Sequence, residues 1–144
     1  MTVSAIHERL LLDPLEAQLR VLGFETSRPF ATHRFGYAGL IDLFAARDAW
    51  RVVVEAERTA ERVHGDLTKA VAVRATHLLI VTPTRRVAEA CDRQISRSMA
   101  GYQMLPGVIL SRPVGPLVTV LTSLFPVLSD PVSPGQKPQP GDKS

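Results

Sequence analysis

Three carboxylates stand in segments suited to be buried strands. In the stretch GLIDLFAARDAWRVVVEAER, residues 39–58, Asp42 interrupts the apolar run LIDLF, and Glu55 and Glu57 follow directly on VVV. Side chains two apart on a strand point to one side. Glu55 and Glu57 therefore project together, while Val52, Val54 and Ala56 face away. If residues 50–57 pair with residues 40–46, Asp42 comes beside Glu55 and three acids converge. Like charges that close raise one another's pKa and cost stability unless a cation neutralises them. A hard divalent ion with oxygen ligands would do so, and Mg2+ characteristically uses one or two carboxylates together with substrate phosphate. The other arrangement open to these residue types is a solvated sheet face on which Glu55 and Glu57 pair with Arg51 or Arg58. Asp42 fits that arrangement less well. Ile41, Leu43 and Phe44 flank it, and burying a carboxylate without a partner costs several kcal/mol.

The elements that must position these acids can be read from hydrophobic periodicity. Ile6, Leu10, Leu15, Leu19 and Leu22 approximate one helical face. Asp13-Pro14-Leu15-Glu16 has the form of a fresh helix start, with Asp13 as cap, Pro14 in the first turn and Glu16 completing a capping box. Gly23 then ends that helix, and residues 4–12 are either a separate helix or one kinked at Pro14. Residues 29–35 read as a strand and residues 36–39 as a turn. Residues 40–46 and 50–57 read as stronger strands whose short link makes them antiparallel partners. Residues 59–75 return to helical spacing through Ala60, Val63, Leu67, Ala70 and Val71. The run HLLIVT, residues 77–82, has the continuous apolarity of a strand buried on both faces. Residues 84–99 form another helix with Val87, Cys91 and Ile95 inward, and residues 107–110 a further strand. In PLVTVLTSLF the Val and Thr content favours a strand over residues 117–122, although Leu117, Leu121, Leu124 and Phe125 also suit a helix. The expected fold is α/β: a mixed central sheet flanked by helices, with the core order α-β-β-β-α-β-α-β. One domain covers residues 1–129. From Asp130 the composition changes to DPVSPGQKPQPGDKS, expected to be a flexible tail because it has too little apolar surface to offset its ordering entropy.

An acid in the second strand of a meander, then E-x-E at the end of the next strand, then a helix, resembles the PD-(D/E)xK nuclease superfamily, the restriction-endonuclease-like fold. The match runs from about Pro14 to Thr82. Asp42 falls at the family's Asp, Glu55 at its (D/E) position, and Glu57 where the family usually has Lys. The resemblance implies Asp42 and Glu55 as ligands of Mg2+ or Mn2+, joined by the Ala56 carbonyl. It implies a metal-dependent endodeoxyribonuclease, an enzyme that hydrolyses phosphodiester bonds in DNA, and many small members act as homodimers. The family's lysine orients or activates the attacking water; some members carry Glu there and still cleave, and others with changed motifs have lost catalysis. Several branches place a Lys or Gln from the following helix near the scissile phosphate. In ERTAERVHGDLTKAVAVRA that position falls to Lys69, with Arg62 next; the alternative is a surface charge ladder Arg62–Asp66–Lys69. Glu16 is either a first-helix acid added to the metal site or simply the capping-box partner. Catalytic candidates are therefore Asp42, Glu55, Glu57 and Lys69.

Composition narrows the remaining possibilities. The chain carries 17 Lys+Arg against 14 Asp+Glu, a net charge of +3, and the cations are mostly arginine, which binds phosphate in a forked geometry. Arg28, Arg34, Arg47, Arg51 and Arg62 are candidate contacts to the DNA backbone. A single cysteine, Cys91, excludes an intrachain disulfide and a cysteine-cluster metal site, and its spacing suits core packing. His7, His33, His64 and His77 show no ligand spacing, and there is no Gly-rich phosphate loop or G-x-S-x-G elbow. No apolar run approaches membrane-spanning length and no signal-peptide pattern is present, so a cytoplasmic protein without membrane association is expected. A non-cleaving module on the same fold, binding nucleic acid or a protein partner, is the alternative to the nuclease. It is favoured by the missing motif lysine and the modest net charge.

Overall fold

A computed structural model describes residues 3–33, 39–101 and 104–126. Residues 36–38 of the turn expected at 36–39, Arg34 and the tail from residue 130 lie outside the described residues. Helix α1, Val3–Val21, buries Leu11, Leu12, Leu15 and Leu19, and the fully covered Leu22 follows its last turn. The helix runs unbroken through Pro14, which corrects the expectation of a fresh start at Asp13. Proline removes one backbone donor and crowds the carbonyl a turn earlier, at about 3 kcal/mol in a helix interior. Pro14 and Leu10 both lie on the solvent side, however, where water can solvate the freed carbonyl. The buried leucines opposite contribute about 1.5–3 kcal/mol each, which outweighs that penalty. Asp13 is not a cap: its carboxylate accepts a hydrogen bond from Arg28 Nη1 at 2.6 Å. Glu16 accepts from Arg28 at 3.2 Å and from the Thr26 hydroxyl at 2.8 Å, tying the helix to the strand that follows. Gly23 ends the helix as expected. At φ 92° it takes the left-handed conformation, and the Phe24 N–H bonds the Leu19 carbonyl while the Gly23 N–H bonds that of Arg20.

Strands β1 (Glu25–Ser27), β4 (Leu43–Arg47), β5 (Trp50–Ala56), β6 (His77–Thr82) and β7 (Val108–Pro113) form a five-stranded sheet in the order β1-β4-β5-β6-β7. The β1–β4 and β4–β5 pairings are antiparallel; β5–β6 and β6–β7 are parallel. The β4–β5 hairpin pairs Arg47 with Trp50 across a two-residue turn, in which Asp48 takes a positive φ of 54°, a conformation Asp tolerates. Two short strands, β2 (Phe30–Ala31) and β3 (Leu40–Ile41), pair antiparallel with each other.

The expected strands at 29–35 and 40–46 are thus rearranged. The sheet's edge is Glu25–Ser27, three residues too short and polar to show alternation, and the 40–46 run breaks at Asp42. In a regular strand Ile41 and Leu43 would share a face; here Ile41 packs into one core and Leu43 into the opposite one. The chain bends at Asp42, as bulged strands do where a side chain must be re-aimed.

Helices α2 (Val63–Ala72) and α3 (Arg85–Ser98) cover one face of the sheet, with Val63, Leu67, Ala70, Cys91 and Ile95 packed on Phe44, Val53, Leu78 and Ile80. The Thr84 hydroxyl caps α3 by accepting from the Val87 N–H at 3.2 Å. Helices α1 and α4 (Val114–Leu124) cover the other face, around Leu43, Val52, Val54, Leu79 and Val81. The α4 assignment corrects the strand expected at 117–122. Leu117, Leu121 and Phe125, four apart, are all buried, and this helical stripe seals a face of β5 and β6 that a further strand would leave open. All six residues of β6 are buried, as a central strand requires.

Replacing Pro14 with Ala restores the missing donor without disturbing the buried face. Pro14→Ala is expected to raise stability by about 1–3 kcal/mol, read from urea midpoints. An equal or lower midpoint would mean that α1 depends on a bend at this proline.

Candidate functional site

The alternation of β5 sorts its side chains as the sequence requires. Val52 and Val54 enter the core beneath α1 and α4, and Ala56 packs against it, whereas Val53 and Glu55 turn toward α2. Glu55 is 1% exposed. Its Oε1 accepts the Asp42 backbone N–H at 3.3 Å, and Asp42 Oδ2 in turn accepts the Ala56 N–H at 2.8 Å. Because the chain bends at Asp42, its N–H is free of the ladder and can make this reciprocal clasp. Glu55 Oε2 lies 2.9 Å from Lys69 Nζ, an ion pair reaching across from α2. Lys69 Nζ also donates to the Leu40 carbonyl at 2.8 Å and stands 3.8 Å from Asp66 Oδ1.

Glu57 follows the last residue of β5, with its N–H held by the Val81 carbonyl at 3.0 Å. Its carboxyl meets that of Asp66, which is 1% exposed. With both groups ionised neither can donate, and Asp66 Oδ2 is then buried without a hydrogen-bond partner. If one of the two keeps its proton, they hydrogen-bond to each other.

The electrostatics follow from this crowding. Burial, then the nearby Asp42 charge, pushes the Glu55 pKa up to about 8 against the pull of Lys69. Burial and the Glu57 contact, with the charges of Glu55 and Glu57, push Asp66 up to about 11. Glu57 is raised by burial as well. Burial alone would lower the Lys69 pKa, but Glu55, Asp66 and Asp42 raise it, so the ammonium stays charged.

Asp42, Glu55, Ala56, Glu57, Lys69 and Arg62 line one cleft of about 510 Å³. Arg62, exposed at the start of α2, lies near enough for its charge to act on Glu57. The other arginines are placed elsewhere. Arg28 is engaged by Asp13 and Glu16. Arg47, at the turn end of β4, donates to the Leu22 carbonyl and lies over the Phe24 and Trp50 rings at 5.3 and 4.5 Å. Arg51 Nε donates to the Val73 carbonyl at 2.8 Å, and its guanidinium lies over Phe44. Glu16 is held between Thr26, Arg20 and Arg28. Sequence reasoning missed three acids that line the cleft, Glu8, Glu61 and Asp66. Asp66 occupies a core position of α2, since the buried residues Val63, Asp66, Leu67 and Ala70 follow helical spacing, and an acid inside that stripe was a usable signal. Glu8 of α1 also lines the cleft, and no local pattern could have brought it there.

Four carboxyls, Asp42, Glu55, Glu57 and Asp66, thus gather at one end of the cleft; Lys69 pairs with Glu55 and stands 3.8 Å from Asp66, and Glu55 Oε2 and Asp66 Oδ2 are buried without a hydrogen-bond donor. An oxygen-only donor set short of positive charge suits a hard divalent cation. Among the described residues no three His, Cys, Asp or Glu side chains converge as a ready ligand set. Asp42 and Glu55 are the two carboxylates that could hold Mg2+ here, and main-chain, water or substrate oxygens usually complete the shell of that ion. Also among the described residues, no helix is long and apolar enough to cross a membrane.

The raised carboxyl pKa values fix a sign. A group that binds its proton more tightly when folded contributes stability at low pH and loses it as pH rises through the folded value. For Glu55 that window runs from its ordinary 4.5 to about 8. In EDTA the thermal midpoint should fall across this window, and Glu55→Gln should flatten the fall; a wild-type midpoint level or rising with pH would contradict the buried placement of Glu55. Set against known proteins, the chain matches no protein-family model, no curated protein and no solved structure.

Proposed function

We propose that the chain is a metal-dependent nuclease with a restriction-endonuclease-like fold, hydrolysing phosphodiester bonds in DNA. The observation that carries this reading is the Asp42–Glu55 clasp at the end of β5, beside Lys69 and open to the cleft. The helix, antiparallel meander, helix and parallel strand leading to it support the fold. Asp42, Glu55 and the Ala56 carbonyl would hold Mg2+ or Mn2+. Once bound, such an ion polarises the scissile phosphate and lowers the pKa of a coordinated water.

The chain's own residues supply the rest. Glu57, raised in pKa by burial, is suited in its ionised form to take the proton from the attacking water and keep it. Lys69 lies on the same cleft wall and would offset the charge that builds on the phosphate oxygens. Arg62, exposed at the rim, would contact a flanking phosphate without reading bases. A two-fold dimer would present two such clefts, one for each DNA strand.

A non-cleaving module is the second reading. It is favoured by Glu57 standing in place of the motif lysine and by the absence, among the described residues, of a ready three-ligand set. The two readings part in one assay. Purified protein should nick supercoiled plasmid in Mg2+ or Mn2+, and Asp42→Ala should lower the rate by about 100-fold or more with an unchanged circular dichroism spectrum. DNA binding that persists in EDTA, with no cleavage by the wild-type chain, would establish the module. Cleavage undiminished in both Asp42→Ala and Glu55→Ala would falsify the site.

A further inference from the structure

Lys69 holds a place that a divalent cation would want. Its ammonium sits 2.9 Å from Glu55 Oε2, 2.8 Å from the Leu40 carbonyl oxygen and 3.8 Å from Asp66 Oδ1. All three partners are oxygens, and they come from three elements: the end of β5, strand β3 and helix α2. Its side chain is 17% exposed whereas that of Glu55 is 1% exposed. Glu55 is fixed in the sheet and clasped to Asp42; Lys69 has a flexible four-carbon stem at the edge of the cleft. If one partner of this pair moves, it is the ammonium.

A static structural salt bridge would need the opposite arrangement, both partners enclosed and satisfied. Here the ammonium is shared between Glu55 and Asp66, and it approaches Glu55 Oε2 at 2.9 Å without forming a hydrogen bond of good geometry. A divalent ion bound at Asp42 and Glu55 would repel the ammonium from its place beside Glu55.

We propose that Lys69 is a built-in placeholder for the cation: it occupies the oxygens of Glu55 and Leu40 in the cation-free protein and gives up the Glu55 oxygen when a divalent ion enters. The inference rests on the nuclease reading and deepens it by naming how the site is loaded. Release from Glu55 and from the Leu40 carbonyl leaves the ammonium free in the cleft, where the phosphate of a nucleic acid would meet it. Cation entry and the readiness of Lys69 for substrate are then one event. The same exchange weakens cation binding, because the ion must displace a charge already in contact with its ligand.

The test compares Mn2+ binding by calorimetry in wild-type, Lys69→Met and Arg62→Met proteins. Arg62 lines the same cleft and supplies the control for charge removal at a distance. Lys69→Met should bind Mn2+ about tenfold more tightly or better, with Arg62→Met close to wild type. Equal affinity in wild type and Lys69→Met, or the same gain in Arg62→Met, overturns the placeholder alone. No Mn2+ binding by any of the three removes both the nuclease reading and the inference.

Should Lys69→Met fail to fold, the wild-type chain carries the test. The sequence has three lysines, Lys69, Lys137 and Lys143, so amine-reactive labelling read by mass spectrometry has internal references. Saturating Mg2+ should speed labelling of Lys69 several-fold relative to Lys137 and Lys143. An unchanged ratio as Mg2+ saturates means the ammonium stays in place, and the inference falls.

Discussion

A buried glutamate at the end of a central strand is the constraint around which this protein is arranged. Glu55 is nearly as inaccessible as Val54 before it, and a carboxylate there is tolerated only if its oxygens are met. One is met by the Asp42 N–H and the other by the Lys69 ammonium. Each contact dictates something larger. The Asp42 N–H is available only because the chain bends at that residue, sending Ile41 and Leu43 into opposite cores. The Lys69 contact requires α2 to cross the sheet at the level of Glu55, and the bond to the Leu40 carbonyl holds β3 beneath the same helix. The bend, the crossing of α2 and the short β2–β3 ladder are different responses to one charge.

Helix α2 therefore serves two purposes with a single face. Its buried stripe runs Val63, Asp66, Leu67, Ala70, and the acid among them is packed as if it were apolar. A stability argument alone would place a leucine at 66, since a buried carboxylate with an orphaned oxygen lowers stability. Burial raises the Glu57 pKa while the hydrogen bond from Asp66 pulls it down, and Asp66 adds to the field that keeps Lys69 charged. Local rules broken at a cleft, inside a domain otherwise consistent with them, are the expected sign of a site under functional demand.

Much of this was legible in the sequence where periodicity is strong and local. The hairpin, the buried strand 77–82 and the two helices after the motif follow from alternation and 3.6-residue spacing, and the hairpin brings Asp42 beside Glu55; Lys69 was singled out only through the family resemblance. What failed did so for physical reasons. Pro14 reads as a helix start because local propensity knows nothing of the leucines that hold α1 to the sheet. Residues 117–122 read as a strand because Val and Thr favour one, yet Leu117, Leu121 and Phe125 bury a helical stripe over β5 and β6. Glu25–Ser27 is too short to show a period, and Glu8 reaches the cleft only through tertiary packing.

The arginines complete the argument. A net charge of +3 suggests a basic surface for a polyanion, but several of these cations are engaged within the fold. Arg28 fastens β1 to α1, Arg47 closes the aromatic cluster of Phe24, Trp50 and Phe125, and Arg51 ties β5 to the end of α2. The cleft itself is acidic, with Arg62 and Lys69 against Glu8, Asp42, Glu55, Glu57, Glu61 and Asp66. Such a cleft repels phosphate unless its carboxyls are protonated or neutralised. On the nuclease reading, the cation has to do more than activate water. A bound divalent ion would offset part of the cleft's negative charge, so that a phosphate would meet less repulsion at a loaded site than at an empty one.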